Sequence, residues 1–147
     1  MRNKMNNKGF TLVEVLLVVV IIAILAAVVI VAINPGRQIA QANNAERRSA
    51  VNTILNAVHQ YGIDNRGTLP AGITDTATEV ATGAVDICAA LVPTYVAAMP
   101  FDPTDEDAAY ESCESYATGY TILKDAEGRV TVAAPGAELE EVISVTR

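Results

Sequence analysis

The sequence predicts an α+β protein: a long N-terminal α-helix, bent near Pro35, with a small antiparallel β-sheet packed on its C-terminal half. Three observations predict it. An uninterrupted apolar run fills Val15 to Ile33. Val51, Ile54, Leu55, Val58 and Tyr61 then recur at spacings of three and four, the mark of one helical face. Finally, Thr118 to Lys124 and Arg129 to Ala133 read as strands on either side of Asp125-Ala126-Glu127-Gly128, a hairpin with a four-residue loop.

The apolar run comes first because its chemistry is the most restrictive. Its nineteen residues carry no charge and no polar side chain, and Glu14 is the only charge between Lys8 and Arg37. As a helix, residues 10–33 extend about 36 Å, enough for a bilayer core of ~30 Å. Val and Ile favour strands in water. Lipid reverses that preference, because a lone span must pair every backbone N–H and C=O within itself.

Charge is divided along the chain. Arg2, Lys4 and Lys8 precede the span with no acid among them. Basic residues ahead of a span stay on the cytoplasmic side, so everything after the span faces outward. The net charge of −7 becomes −10 once residues 1–9 are set aside, seven basic against seventeen acidic. Such an acidic outward part argues against direct nucleic-acid binding, which relies on Lys and Arg against phosphate. Cys88 and Cys113 both lie in that part. They are either a disulfide or two buried thiols, and an oxidising compartment favours the disulfide.

An ordinary secretory signal does not account for the N-terminus. Its apolar region is ~7–15 residues and ends at a small-x-small site; here the run is longer and Ile30-Val31-Ala32 is a poor site. A plain signal anchor leaves Gly9-Phe10 and Glu14 unexplained. The stretch Lys8-Gly9-Phe10-Thr11-Leu12-Val13-Glu14 resembles the prepilin signal of type IV pilins and pseudopilins. The resemblance implies cleavage between Gly9 and Phe10 by a prepilin peptidase, N-methylation of the new Phe10 amine, and Glu14 at the fifth mature position. It also implies the pilin fold, divided into a leader (1–9), a transmembrane and filament-core helix (10–33), an amphipathic continuation (34–62) and a globular head (63–147).

Glu14 can also be argued from chemistry. A carboxylate at the centre of a span costs ~2.5–3.5 kcal/mol on insertion scales, and less one turn from the interface. One reading is a glutamate that snorkels to the headgroups. The other is an electrostatic partner for the α-amine of a cleaved Phe10 on a neighbouring copy, which low dielectric strengthens. That pairing would set the register between subunits during assembly.

Asn34-Pro35-Gly36 interrupts the helix, either as a bend within a continuous axis, the favoured reading, or as a break with Asn34 capping a second helix from Pro35. Residues 37–62 then read as helix, with Arg37, Arg47 and Arg48 expected to be solvated or to touch anionic lipid or an acidic neighbouring subunit. His59 is expected to be a satisfied helix histidine. Tyr61 to Pro70 resembles the family's exit from this helix. Residues 63–92 are polar and turn-rich, with a short helix within 84–92. Pro93 to Pro103 resembles an apolar stretch recurring before the sheet in pilins and pseudopilins. Asp102, Asp105, Glu106 and Asp107 crowd one loop, expected to be solvated. Asp102, Asp105 and Asp107 are its calcium candidates, since clustered carboxylates suit Ca²⁺ and major pseudopilins of type II secretion bind calcium in a comparable loop. The aromatic–Gly pair those proteins carry after Asp-Pro is missing, and no cofactor is otherwise expected. Leu139 to Val145 reads as a third strand.

No nucleophile–base motif, metal-ligand set or Gly-rich phosphate loop marks an enzyme. The expected function is a structural subunit of a type IV pilus, waiting in the cytoplasmic membrane and then polymerised into a cell-surface helical homo-oligomer. The resemblance implies an inner-membrane platform protein and an assembly ATPase as further partners. The alternatives are a type II secretion major pseudopilin and, in another class, a monomeric membrane-anchored binding module.

Overall fold

The structure is a computed structural model that describes residues 9–147. The expected leader, apart from Gly9, lies outside the described residues. The chain divides into two units, up to Gln38 and from Ile39 to Arg147, each taken by itself.

In the first unit, helix α1 spans Leu12–Ile33 and buries none of its side chains. Thr11 caps its N-terminus: the Glu14 N–H donates to Thr11 Oγ1 at 3.2 Å, satisfying one of the orphan amides of the first turn. At the other end the helix stops at Asn34, whose backbone is left-handed (φ 48°). Its side chain accepts from the Arg37 N–H at 3.3 Å, so Asn34 caps the next helix, with Pro35 at the first position. The helix is therefore interrupted at one residue, where a continuous axis was favoured. Pro35 has no N–H for the Val31 carbonyl, and Asn tolerates the left-handed conformation that ends a helix.

Helix α2 spans Pro35–Asp64, and most of it lies in the second unit. Its buried positions are Ala40, Asn44, Arg47, Ala50, Val51, Ile54, Leu55, Ala57, Val58 and Gly62. The stripe thus begins three turns before Val51, and its first part is polar.

The sheet has five strands, where three were expected: β1 (Thr78–Ala81), β2 (Ala109–Ser112), β3 (Ser115–Lys124), β4 (Val130–Ala134) and β5 (Ile143–Thr146). The order is β1-β3-β4-β5, all antiparallel, with β2 also on β3. Ala117 pairs with Ala81 on one side and Ala109 on the other, so β2 and β4 share one side of β3. Strands β1 and β2 have four residues each, too few to show an alternation. The register of β1 slips between Glu79 and Ala81. There the buried Thr118 hydroxyl donates to the Val80 carbonyl at 2.8 Å, so the bulge leaves that acceptor satisfied. The last strand starts at Ile143 because Leu139 and Glu140 before it are left-handed (φ 60° and 58°).

Along β3, Tyr116, Thr118, Tyr120 and Ile122 point inward. With Val80, Val130, Val132, Ala134 and Ile143 they pack against Val51, Ile54, Leu55 and Val58 of α2. A one-turn helix α3, Cys88–Leu91, closes one side of this core. Cys88 is joined to Cys113, beyond β2, by a disulfide with a Cα–Cα distance of 5.3 Å.

Candidate functional site

Two sets of residues carry chemistry, one in each unit. In the first, α1 is long and apolar enough to cross a membrane. Phe10 is 81 % exposed and sits just ahead of the Thr11 cap. Glu14 lies in the first turn, where the positive end of the helix dipole favours a carboxylate. Its side chain has no cation partner among the described residues. Gly9 is exposed and open, with nothing within 4 Å of an added Cβ, and its surroundings impose no steric demand for glycine.

In the second unit the centre is Arg47, fully buried. Its Nε and Nη2 donate to Asp102 Oδ2 and Oδ1 at 2.7 and 3.0 Å, a bidentate pair. Nη1 donates to Asn44 Oδ1 at 3.0 Å and Glu138 Oε2 at 2.8 Å, and Nη2 also to Thr104 Oγ1 at 2.5 Å. All five donors of the guanidinium therefore have acceptors. Asn44 continues the network: its Nδ2 donates to the Glu138 carbonyl at 2.8 Å, and its Oδ1 accepts from the Glu138 N–H at 2.9 Å. One helix face thus holds the loop around Asp102 and the segment around Glu138.

The hydrogen bond to Asp102 raises the Arg47 pKa above its ordinary value, burial opposes it, and Glu138 adds to the rise. Burial pushes the Asp102 carboxyl up, but the hydrogen bonds from Arg47 and Thr104 outweigh it and hold the group below the usual carboxylate range. Glu138 is lowered as well, chiefly by its hydrogen bond from Arg47 and then by Asn43. Gly136 makes the packing feasible: a Cβ there would lie 2.9 Å from Asp102 Oδ2, an oxygen already fixed by Arg47.

Two sequence expectations change here. Arg47 is not a surface charge for lipid or a neighbour; it is the buried half of an ion pair, because it lies on the same stripe as Ala40, Asn44 and Val51. Asp102 is not part of a solvated loop; both its oxygens are taken by Arg47, and Oδ1 also by Thr104. Asp105 and Asp107 are exposed, and among the described residues no group of three or more His, Cys, Asp or Glu is placed to hold a metal ion. The signal for Arg47 and Asn44 was their spacing from Val51, which continues the helical period; their polarity masked it. Arg48 does sit at the surface, paired with Glu141. His59 is half-buried, and its Nε2 has no hydrogen-bond partner among the described residues.

Tyr116 fixes the turn into α3. Its hydroxyl accepts from the Ile87 and Cys88 N–H groups at 3.1 and 3.3 Å and donates to Asp86 at 2.9 Å. Burial, then the Asp86 carboxylate, push its pKa up to about 12.

Neither curated proteins nor solved structures match the chain. A family model does match at the N-terminus: residues 4–30 fit the prokaryotic N-terminal methylation motif. Gly9, Phe10, Glu14 and the exposed apolar helix as far as Ile30 fall within it. This chain therefore carries the class III signal of type IV pilins and pseudopilins, on a helix suited to a membrane-anchored precursor.

Proposed function

We propose that this chain is the structural subunit of a type IV pilus, cleaved after Gly9, N-methylated at Phe10 and polymerised through α1. The observation that carries the proposal is the methylation motif on a helix whose every described side chain is unburied. Such a surface needs lipid before assembly and other copies of itself afterwards. At ~25 cal/mol per Å² of apolar area, re-burial between copies supplies the drive. A head-to-tail contact that does not close makes a filament. Glu14 provides the register, pairing with the Phe10 amine of a neighbour where low dielectric penalises an unpaired carboxylate. The motif implies processing by a prepilin peptidase in general. Extraction from the cytoplasmic membrane is assigned to a platform protein and an ATPase.

Phe101-Asp102-Pro103 is followed by Thr104-Asp105, without the aromatic–Gly pair associated with calcium-binding pseudopilins. This supports a pilus over a type II secretion pseudopilus. The test is to purify filaments, identify their main protein and determine its N-terminus by mass spectrometry. Methylated Phe10 in long surface filaments is the expected result, and short envelope-spanning filaments would transfer the subunit to secretion. Mature protein that still begins at Met1 and never polymerises would reject both readings in favour of a membrane-anchored binding module. Glu14→Ala is expected to insert normally and to lose most filament yield; unchanged yield would remove Glu14 from assembly.

A further inference from the structure

The head, residues 39–147, holds six basic and sixteen acidic side chains, and they are distributed unevenly. Between Arg66 and Lys124 there is no Lys or Arg, but nine Asp and Glu. Of the six basic residues, Arg47, Arg48 and Arg129 are held in ion pairs. Arg66, Lys124 and Arg147 have none among the described residues, and Lys124 and Arg147 line two grooves that share His59 and Ile63. Lys124 lines a cavity of about 820 Å³ together with His59, Leu69, Ile73 and Gly67, the neighbour of Arg66. Arg147 lines an adjoining groove, again with His59, and is oriented by a 2.7 Å hydrogen bond to Asn56. Of the nearby acids, Asp125 and Glu127 are already paired with Arg129, and Asp64 accepts from the Tyr95 hydroxyl. His59 lines both grooves.

The opposite end of the same strand has the opposite charge. Lys124 is the last residue of β3, and Ser115 is the first, about 30 Å away at ~3.3 Å per residue. Beside Ser115, Asp107, Glu111 and Glu114 line a smaller groove of about 390 Å³. All three carboxylates are exposed and lack an ion pair among the described residues. One strand therefore links a receptive basic groove to an acidic face, and each is the complement of the other rather than of itself.

We infer that the basic groove around His59, Lys124 and Arg147 receives the Asp107–Glu111–Glu114 face of a second copy of this chain. The inference rests on the filament reading above and adds to it a contact between heads. Joining two different patches is a heterologous arrangement, and it repeats without closing. Complementary potentials fix register and disfavour wrong partners. In so acidic a molecule this contact also relieves the repulsion between neighbouring heads.

The test is a charge swap in the full chain. Lys124→Glu with Arg147→Glu, or Glu111→Lys with Glu114→Lys, is expected to lower filament yield roughly tenfold, with membrane levels of the precursor unchanged. A chain carrying both swaps presents both faces reversed and is expected to regain filaments. Cross-linking gives a second readout without charge reversal: Lys124→Cys with Glu111→Cys should join copies into a ladder on oxidation, and each single substitution should stop at dimers or monomers. Normal yield from either swap, no recovery in the combined chain, or no ladder would overturn the contact while leaving the filament intact. Absence of filaments from the unaltered chain would instead reject the filament reading and this contact with it.

Discussion

Arg47 shows how one side chain organises a domain. A guanidinium buried beside a carboxylate contributes little over a well-packed apolar pair, but removing one partner leaves a charge stranded. Asp102→Ala is therefore expected to cost about 3–5 kcal/mol, measured by denaturant melting of the folded chain. A loss within experimental error would show that Arg47 does not depend on Asp102. Tyr120 makes the opposite case. It is fully buried, its hydroxyl has no partner among the described residues, and burial pushes its pKa up to about 12. An unsatisfied buried hydroxyl costs free energy, so Tyr120→Phe is expected to leave stability unchanged or raise it by about 1 kcal/mol. A drop in melting temperature would reveal a partner such as ordered water. Of these residues, the strand that carries Tyr120 was legible but its inward direction was not, and the burial of Arg47 ran against its polarity.

At the scale of elements, the disulfide ties α3 to the turn between β2 and β3, both made of short pieces. A four-residue helix and a four-residue strand order few hydrogen bonds against their conformational entropy. Constraining the 25-residue separation is expected to contribute roughly 3.5 kcal/mol in the chain-entropy model. Replacing both cysteines by serine should lower stability by about that amount in melts of the pure protein, and an unchanged melt would reject a stabilising role. Leu139 and Glu140 are a second example. Two successive left-handed residues cost of order 1–3 kcal/mol each; Glu138 held by Arg47 and Asn44 before them, and Glu141 paired with Arg48 after them, keep them in place. The pairing of the two cysteines could be anticipated because both follow the span, on the side where an oxidising compartment favours a disulfide. The left-handed residues could not, since neither Leu nor Glu signals such a backbone.

For the molecule as a whole, the same ion pair predicts a response to acid. The folded-state pKa of Asp102 is depressed, so its contribution is complete above the unfolded value of ~3.9. It falls away as pH drops through the lower folded value, because the unfolded chain then binds more protons. Glu138, also lowered, acts in the same direction. Thermal melts of the head should be nearly flat near neutral pH and decline below about pH 4. Asp102→Asn should flatten that decline; an equally steep decline in the variant would assign it to other carboxylates.

The sequence by itself determined the apolar helix, its N-terminal motif, the position of Glu14, the β3–β4 hairpin and the α+β class. Each depends on residues adjacent in the chain, so composition and short-range period suffice to read it. Tertiary structure alone decided the burial of Arg47, Asn44 and Asp102, the addition of β1 and β2 to the sheet, and the late start of β5. Arg47 and Asp102 are 55 residues apart, and β1 and β2 form only because β3 offers both its sides to distant segments. Such contacts are fixed by which groups can satisfy one another in the folded core, a condition that no local pattern expresses.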